Sequence, residues 1–232
     1  MKKLLGIVLT ATAVLAVVAC VPPDEGDAPV DDREITWWFS GDSMFAGDWY
    51  HSAAPRFLKD VRNVAVPGST LIRVQNHPTI EDQLAPHAPN PDTHNVIVFH
   101  AGGADMYARE LYELDHTIDD YLAVIDYFDT GFRDAGLDVY WTSIAPTNVL
   151  VDEDLQIAQK QNEMRLALNA AVANKMGSRF INCEPDLVAE PGGVWGDPAY
   201  FIDDGVHLND VGAFVHAQCL ANAIPGLSLD LG

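Results

Sequence analysis

Two segments near opposite ends of the chain carry the residue types needed for nucleophilic catalysis. Ser43 ends the run SGDS at residues 40–43, which directly follows an apolar segment. A serine hydroxyl attacks well only when a nearby base removes its proton. His207, at the end of the run DDGVH, is the candidate base. Together the two segments predict a hydrolytic or acyl-transfer site with Ser43 as its nucleophile.

An acid three residues before the histidine completes the candidate set. The carboxylate of Asp204 can accept the Nδ1 proton of His207 and stabilise the imidazolium, which leaves Nε2 to face the serine. Asp203 is the competing acid, but the three-residue spacing favours Asp204. The chain order is then serine, acid and histidine.

These blocks resemble the SGNH (GDSL-type) hydrolase superfamily over residues 35–224. The run at 40–43 matches its first block, and Asp204-x-x-His207 matches its last block. Gly68, in VPGST, stands for the second block, a glycine whose backbone N–H donates to the oxyanion. The run GGAD at 102–105 stands for the third block, Gly-x-Asn-Asp, with Ala104 at the position of the asparagine.

The resemblance implies a flavodoxin-like three-layer α/β/α sandwich with a mostly parallel five-stranded sheet. It implies a serine esterase that needs no cofactor or metal and hydrolyses acyl esters, such as O-acetyl carbohydrate or short-chain lipid esters. The backbone N–H groups of Ser43 and Gly68 would form the oxyanion hole. Ala104 has no side-chain amide, and losing one such hydrogen-bond donor costs about 10²–10³ in kcat. Asn148 is a candidate replacement.

Two other functions remain open at this point. The same residues could transfer an acyl group to a cell-envelope polymer, as an O-acyltransferase does. Because Ala104 replaces the asparagine, the fold could also serve as a catalytically weakened binding lipoprotein. An α/β-hydrolase is not favoured, since the chain has no Gly-x-Ser-x-Gly run.

Several further polar residues have a structural interpretation. Asp42 is expected to brace its own turn and Asp105 to bond loop amides. His100 could line the pocket, although a buried histidine with satisfied hydrogen bonds is favoured. Three more histidines lie in a proline-rich stretch at irregular spacing, which favours loop positions over a metal site: His77, His87 and His94.

The segments around these residues predict alternating strands and helices. Apolar runs rich in β-branched or aromatic residues predict strands at 35–39, 61–66, 95–100, 137–143 and 179–183. Helical spacing of apolar residues predicts helices at 116–135, 155–176 and 209–224, the last capped by Asn209. Residues 76–94 predict a loop or lid. Such alternation indicates a parallel sheet with its site at the carboxyl ends of the strands.

The acidic composition excludes some kinds of partner. The chain has 34 Asp and Glu against 13 Lys and Arg, a formal net charge of −21. Such a surface repels nucleic acid and anionic lipid headgroups. We therefore expect a small-molecule or carbohydrate ester as the substrate and no nucleic-acid partner. The oligomeric state is left open.

The N-terminus predicts export and lipid attachment. Two lysines precede an apolar run of about 16 residues, too short to span a membrane, and VVAC at 17–20 resembles a lipobox. We expect a signal peptide at 1–19, lipidation of Cys20, an acidic tether at 20–34 and a domain at 35–232, outside the cytoplasm. An ordinary signal peptide or a short membrane anchor, with Cys20 incidental, is the alternative. Cys183 and Cys219 then form an even pair and predict a disulfide.

Overall fold

The computed structural model describes the following residues: 33–46, 61–72, 78–84, 87–107, 116–147, 155–227 and 229. Within it, Arg33–Gly232 forms one compact unit. The predicted signal peptide, Cys20 and residues 20–32 of the acidic tether lie outside the described residues, and so does Asn148. Among the helices of the described ranges, none is both long enough and apolar enough to cross a membrane.

Five parallel strands form the central sheet, in the order β2-β1-β3-β4-β5. This is the flavodoxin-like strand order, and the predicted three-layer fold is confirmed. Buried apolar side chains point to both faces, as expected of strands covered on both sides. The strands are β1 (Ile35–Gly41), β2 (Val61–Asn63), β3 (His94–His100), β4 (Asp138–Thr142) and β5 (Phe180–Ile181).

The strand boundaries differ from the sequence prediction at several ends. β1 runs two residues further than predicted, so it reaches Gly41, while β2 ends at Asn63. Beyond β2 the chain still bonds to β1, since the Val64 N–H donates to the Phe39 carbonyl at 2.9 Å and the Val66 N–H to the Gly41 carbonyl at 3.2 Å. The apolar pattern of residues 61–66 therefore predicted that this segment pairs with β1, but not that the extended strand geometry ends at Asn63.

The described helices alternate with the strands. Leu155–Met176 has the predicted bounds. The Thr117 side chain caps the N-terminus of the helix before β4, and Asn209 caps the last helix as predicted. The helices are α1 (Ser43–Ala46), α2 (Ile80–Leu84), α3 (Gly103–Tyr107), α4 (Ile118–Asp134), α5 (Leu155–Met176) and α6 (Asp210–Ala223).

Each face of the sheet packs against its own helices. On one face, the side chains of α1 and α6 cover β1 and β3, and this core includes Trp37, Phe39, Phe45, Val98, Ala217 and Leu220. On the other face, α4 and α5 cover the sheet, with Trp38, Ile97, Phe99, Phe128, Leu168 and Val172. Alternation along β1 and β3 thus supplies apolar side chains to both cores.

The prediction of an unbroken loop over residues 76–94 is wrong. Within that range the helix α2 begins after Thr79, whose backbone N–H and hydroxyl both donate to Asp82 Oδ2 at 2.9 Å. The Asp82 N–H donates back to the Thr79 hydroxyl at 3.4 Å. This reciprocal cap stabilises a helix too short to show apolar periodicity.

A disulfide joins Cys183 to Cys219, with 5.7 Å between the Cα atoms. It is the pair that the sequence predicts. Cys183 follows β5, and Cys219 lies on α6, so the bond ties the C-terminal helix to the edge of the sheet.

Candidate active site

Ser43 lies at the carboxyl end of β1, as the first residue of α1. Gly41 makes this position possible, because its φ is +152° and a Cβ there would lie 1.8 Å from the carbonyl oxygen of His100. Only glycine lets the chain pass so close to β3 before it turns. Ser43, the candidate nucleophile, therefore leaves the sheet beside the end of the neighbouring strand.

The structure brings Ser43, His207 and Asp204 together. His207 Nε2 lies 2.7 Å from the Ser43 Oγ, and His207 Nδ1 lies 2.5 Å from Asp204 Oδ2. Since a carboxylate can only accept, Nδ1 carries the proton and Nε2 is left to accept from the hydroxyl. The geometry is that of a serine, histidine and aspartate triad.

The Asp204 carboxylate is held by its own turn. Its Oδ1 accepts from the backbone N–H groups of Val206 and His207, each at 2.9 Å. Partial burial raises the pKa of Asp204, but the hydrogen bonds from the His207 side chain and from these backbone groups outweigh burial and keep the pKa below its usual value. Asp204 is therefore ionised at neutral pH, as an acceptor for the imidazole must be. Asp203 and Asp204 are both exposed, so the hydrogen bond to His207 is what identifies Asp204 as the partner of the histidine.

The triad borders a cavity of about 370 Å³. Ser43, Asp204 and His207 lie on its wall, and no Lys or Arg does so among the described residues. The lining outside the triad is largely apolar, with Met44, Pro67, Ile144, Ala145 and Val206. Such a site suits an uncharged acyl group and offers no cation for a phosphate or a second carboxylate.

Gly68 and Ala104 border the same cavity. Gly68 has a φ of +73°, and a Cβ there would meet no atom within 4 Å, so its left-handed backbone rather than lack of space favours glycine. The Ala104 methyl group cannot donate a hydrogen bond, and the Ala104 backbone N–H is directed to Asp42 Oδ2 at 3.3 Å. The predicted oxyanion donors among the described residues are therefore the backbone groups of Ser43 and Gly68.

Asp105 braces the loop that follows Gly68, as expected from the sequence. Its two carboxylate oxygens accept from the backbone N–H groups of Leu71 and Ile72, at 2.9 and 3.2 Å. Burial raises the pKa of Asp105 to about 7, although these two hydrogen bonds oppose the rise. Asp105 thus acts on the site through the backbone of this loop.

One residue that the sequence analysis missed holds the end of β1. Gln83, on α2, is buried and bonds through its side chain to Ser40 and Gly41. The Thr79 and Asp82 cap was the available signal for α2, but nothing in the sequence shows where Gln83 points. The proline-rich histidines lie apart from the triad: His94 Nε2 pairs with Asp138 at 2.9 Å, and His87 packs near Trp38.

The described residues contain no cluster of three or more His, Cys, Asp or Glu side chains that could hold a metal ion. His77 lies outside the described residues.

No protein-family model and no curated protein matches the sequence. Similarity to solved structures is extensive. A protein of Streptococcus pneumoniae is 18% identical with a TM-score of 0.63, and the match covers 84% of this chain and 86% of that one. A GDSL-like lipase of Bacteroides thetaiotaomicron is 19% identical with a TM-score of 0.54, over 84% and 92% of the two chains. An acetylxylan esterase of Geobacillus stearothermophilus is 15% identical with a TM-score of 0.53, over 83% and 94%.

These matches cover most of each chain, at sequence identities too low to show more than a shared architecture. The described part of the chain therefore has the three-layer α/β/α fold of the SGNH, or GDSL-type, hydrolases.

Proposed function

We propose that this chain is a serine ester hydrolase of the SGNH type. One observation carries the proposal: His207 lies within 2.7 Å of the Ser43 hydroxyl and 2.5 Å of Asp204, at the wall of an apolar cavity. Structures of similar fold are described as a GDSL-like lipase and an acetylxylan esterase, which supports ester hydrolysis.

The proposed reaction uses each member of the triad in turn. His207 Nε2 takes the proton of the Ser43 hydroxyl as its oxygen attacks the ester carbonyl, and Asp204 stabilises the imidazolium that forms. The N–H groups of Ser43 and Gly68 stabilise the oxyanion. His207 then protonates the leaving alcohol. Water, activated in turn by His207, attacks the acyl-enzyme and releases the acid, which restores Ser43.

The proposed substrate is an uncharged acyl ester, such as an O-acetyl carbohydrate or a short-chain lipid ester. The cavity is larger than an acetyl group needs, and its described lining has no cationic side chain. The acidic composition also favours an uncharged substrate, because a net charge of −21 disfavours polyanionic substrates. With Cys20 lipidated, the enzyme would work outside the cytoplasm and contact the membrane through the lipid alone.

The direct test measures hydrolysis of p-nitrophenyl esters from acetate to octanoate by the purified full-length chain. Ser43→Ala and His207→Ala should each remove turnover, because each removes a group that takes part in the bond-making step. Equal rates for all three proteins would contradict the proposal. Loss of donor ester only when a glycan acceptor is added would indicate acyl transfer instead.

The absence of a side-chain amide at Ala104 favours a second candidate function, that of a binding lipoprotein that keeps the fold without turnover. A fluorophosphonate probe separates the two functions, since it reacts only with an activated serine. Labelling that disappears in Ser43→Ala supports the hydrolase, and lack of labelling in the wild-type chain supports the binding protein.

A further inference from the structure

A second aspartate and histidine pair lies directly behind the nucleophile. His100 Nδ1 is 3.2 Å from Asp42 Oδ1, and each side chain is 1% exposed. Asp42 immediately precedes Ser43, and His100 is the last residue of β3. The pair therefore links the ends of β1 and β3, which lead into Ser43 on α1 and Ala104 on α3. Each of these turns, with the short helix that follows it, is called a loop below.

The Asp42 carboxylate connects both loops. Its Oδ1 accepts from the Met44 N–H at 3.0 Å, and its Oδ2 accepts from the Ala104 N–H at 3.3 Å. Burial raises the pKa of Asp42, but the adjacent His100 and these two N–H groups outweigh burial and hold the pKa below its usual value. Asp42 is thus an ionised acceptor, and His100 must donate to it from Nδ1.

The space around Asp42 is tight. A Cβ on Gly103 would lie 2.8 Å from Asp42 Oδ2, so the loop after β3 packs directly on the carboxylate. A rotation of Asp42 would therefore shift this loop or break its hydrogen bond to Ala104. The carboxylate orientation and the spacing of the two loops are coupled.

The buried His100 ring borders the active-site cavity and also packs against neighbouring rings. Its centroid lies 5.5 Å from that of Phe45 and 5.8 Å from that of His216. His100 Nε2 is buried and has no hydrogen-bond partner among the described residues. A phenylalanine or leucine would fill this space without burying an unbonded nitrogen, so packing alone does not explain a histidine here.

We propose that His100 is a positioning residue of this site, an inference that rests on the function proposed above. By donating to Asp42 Oδ1, it fixes the carboxylate that holds the loops of Ser43 and Ala104 at their observed separation. Because Ala104 has no side-chain amide to reach the oxyanion, the site depends on the alignment of the backbone donors of Ser43 and Gly68, and Ser43 lies on the segment that Asp42 holds. Small errors in that alignment are costly, since a misplacement of about 1 Å can reduce the rate about 100-fold.

Two conservative variants separate this role from simple packing. In His100→Asn the amide nitrogen takes the place of Nδ1 and can still donate to Asp42, whereas in His100→Gln it takes the place of Nε2 and cannot. We expect His100→Asn to keep kcat within about threefold of wild type and His100→Gln to lose about 10- to 100-fold in kcat, with KM changed little. His94→Gln, at the opposite end of β3, is the matched control and should keep both constants.

Equal kcat for His100→Asn and His100→Gln would overturn the proposal, whether both are active or both are impaired. A second readout does not depend on turnover. Hydrogen exchange of peptides covering residues 41–46 and 102–106 should be faster in His100→Gln than in wild type, and unchanged in His100→Asn.

If the wild-type chain hydrolyses no ester but the exchange pattern appears, the proposed function fails and the positioning role stands. If the wild-type chain is active and exchange in these peptides is the same in all variants, the positioning role fails and the hydrolase function stands.

Discussion

The side chain of Gln83 bonds to both backbone groups of Gly41. Its Nε2 donates to the Gly41 carbonyl at 2.7 Å, and its Oε1 accepts from the Gly41 N–H at 3.1 Å. The same Oε1 accepts from the Ser40 hydroxyl at 2.9 Å. A short helix outside the sheet thus holds the last two residues of β1 in place, two residues before the nucleophile.

Replacing Gln83 by leucine should lower the free energy of unfolding and reduce kcat. The change leaves the Ser40 hydroxyl and the Gly41 N–H without this acceptor, which costs about 1–3 kcal/mol for each unsatisfied group. The Gly41 carbonyl keeps its hydrogen bond from the Val66 N–H. Urea unfolding and kcat for a p-nitrophenyl ester measure the two effects. Gln218→Leu, at an exposed position on α6, is the control and should change the free energy of unfolding by less than about 0.5 kcal/mol. Equal stability of the two variants would contradict the expectation.

The two neighbouring acids before His207 should behave differently. The Asn side chain of Asp204→Asn can still accept from the N–H groups of Val206 and His207. It has no carboxylate to hold the Nδ1 proton of His207 and stabilise the imidazolium, so kcat should fall about 10⁴-fold. Asp203→Asn should retain the wild-type rate. The measurement is kcat at pH 8 for both variants, and a similar loss in both would mean that the acid is misassigned.

An amide at position 104 should speed the reaction. In Ala104→Asn a side-chain donor borders the cavity beside Ser43, and one such donor is worth about 10²–10³ in kcat where it is well placed. We expect an increase of at least about tenfold. Ala104→Leu has nearly the same shape without the donor and should not gain. An increase shared by both variants would point to a change of pocket shape instead.

Removal of the disulfide should lower stability without removing the site. Cys183 and Cys219 are 36 residues apart, and closing a loop of that length stabilises a protein by about 3–4 kcal/mol. The Cys183→Ser, Cys219→Ser double variant should lose this amount in guanidinium unfolding. In a Cys20→Ser background, thiol titration of the unfolded, non-reduced chain should find no free thiol. Two thiols would exclude the bond.

The buried His216 should make the fold sensitive to acid. Burial lowers the pKa of His216 to about 3, against an ordinary value of 6.5. As the pH falls from 6.5 towards 3, the unfolded chain binds a proton that the folded chain does not, so stability falls by about 1.4 kcal/mol per pH unit. His216→Leu lacks this loss. In urea unfolding at pH 7, 5 and 4, the free energy of unfolding of His216→Leu should rise relative to that of the wild type as the pH falls. The same pH dependence in both proteins would contradict the lowered pKa of His216.

The sequence predicts the sheet and the triad because both depend on patterns within short segments. Runs of β-branched and aromatic residues at 35–39 and 95–100 mark buried parallel strands. In such a sheet the loops after the strands meet at one edge. Ser43 and His207 are 164 residues apart, yet the structure places their reacting atoms 2.7 Å apart.

Side chains that act across long distances in the sequence were not predictable in the same way. Gln83 and His100 reach Gly41 and Asp42 over more than 40 residues, and neither lies in a pattern that points to its partner. α2 escaped prediction since five residues cannot show helical periodicity. The strand ends were also imprecise, because hydrogen bonds between β1 and the segment after β2 continue past the extended geometry.

The distance along the chain between Ser43 and His207 has a consequence for biosynthesis. A nascent chain emerges from its N-terminus, so the nucleophile is made while the histidine that activates it is still to be added. Under the proposed function, Ser43 would stay unactivated until the turn before α6 folds back beside β1 and α1. A fragment that ends before residue 207 would lack the proposed base, so hydrolysis would begin only once the last helix docks.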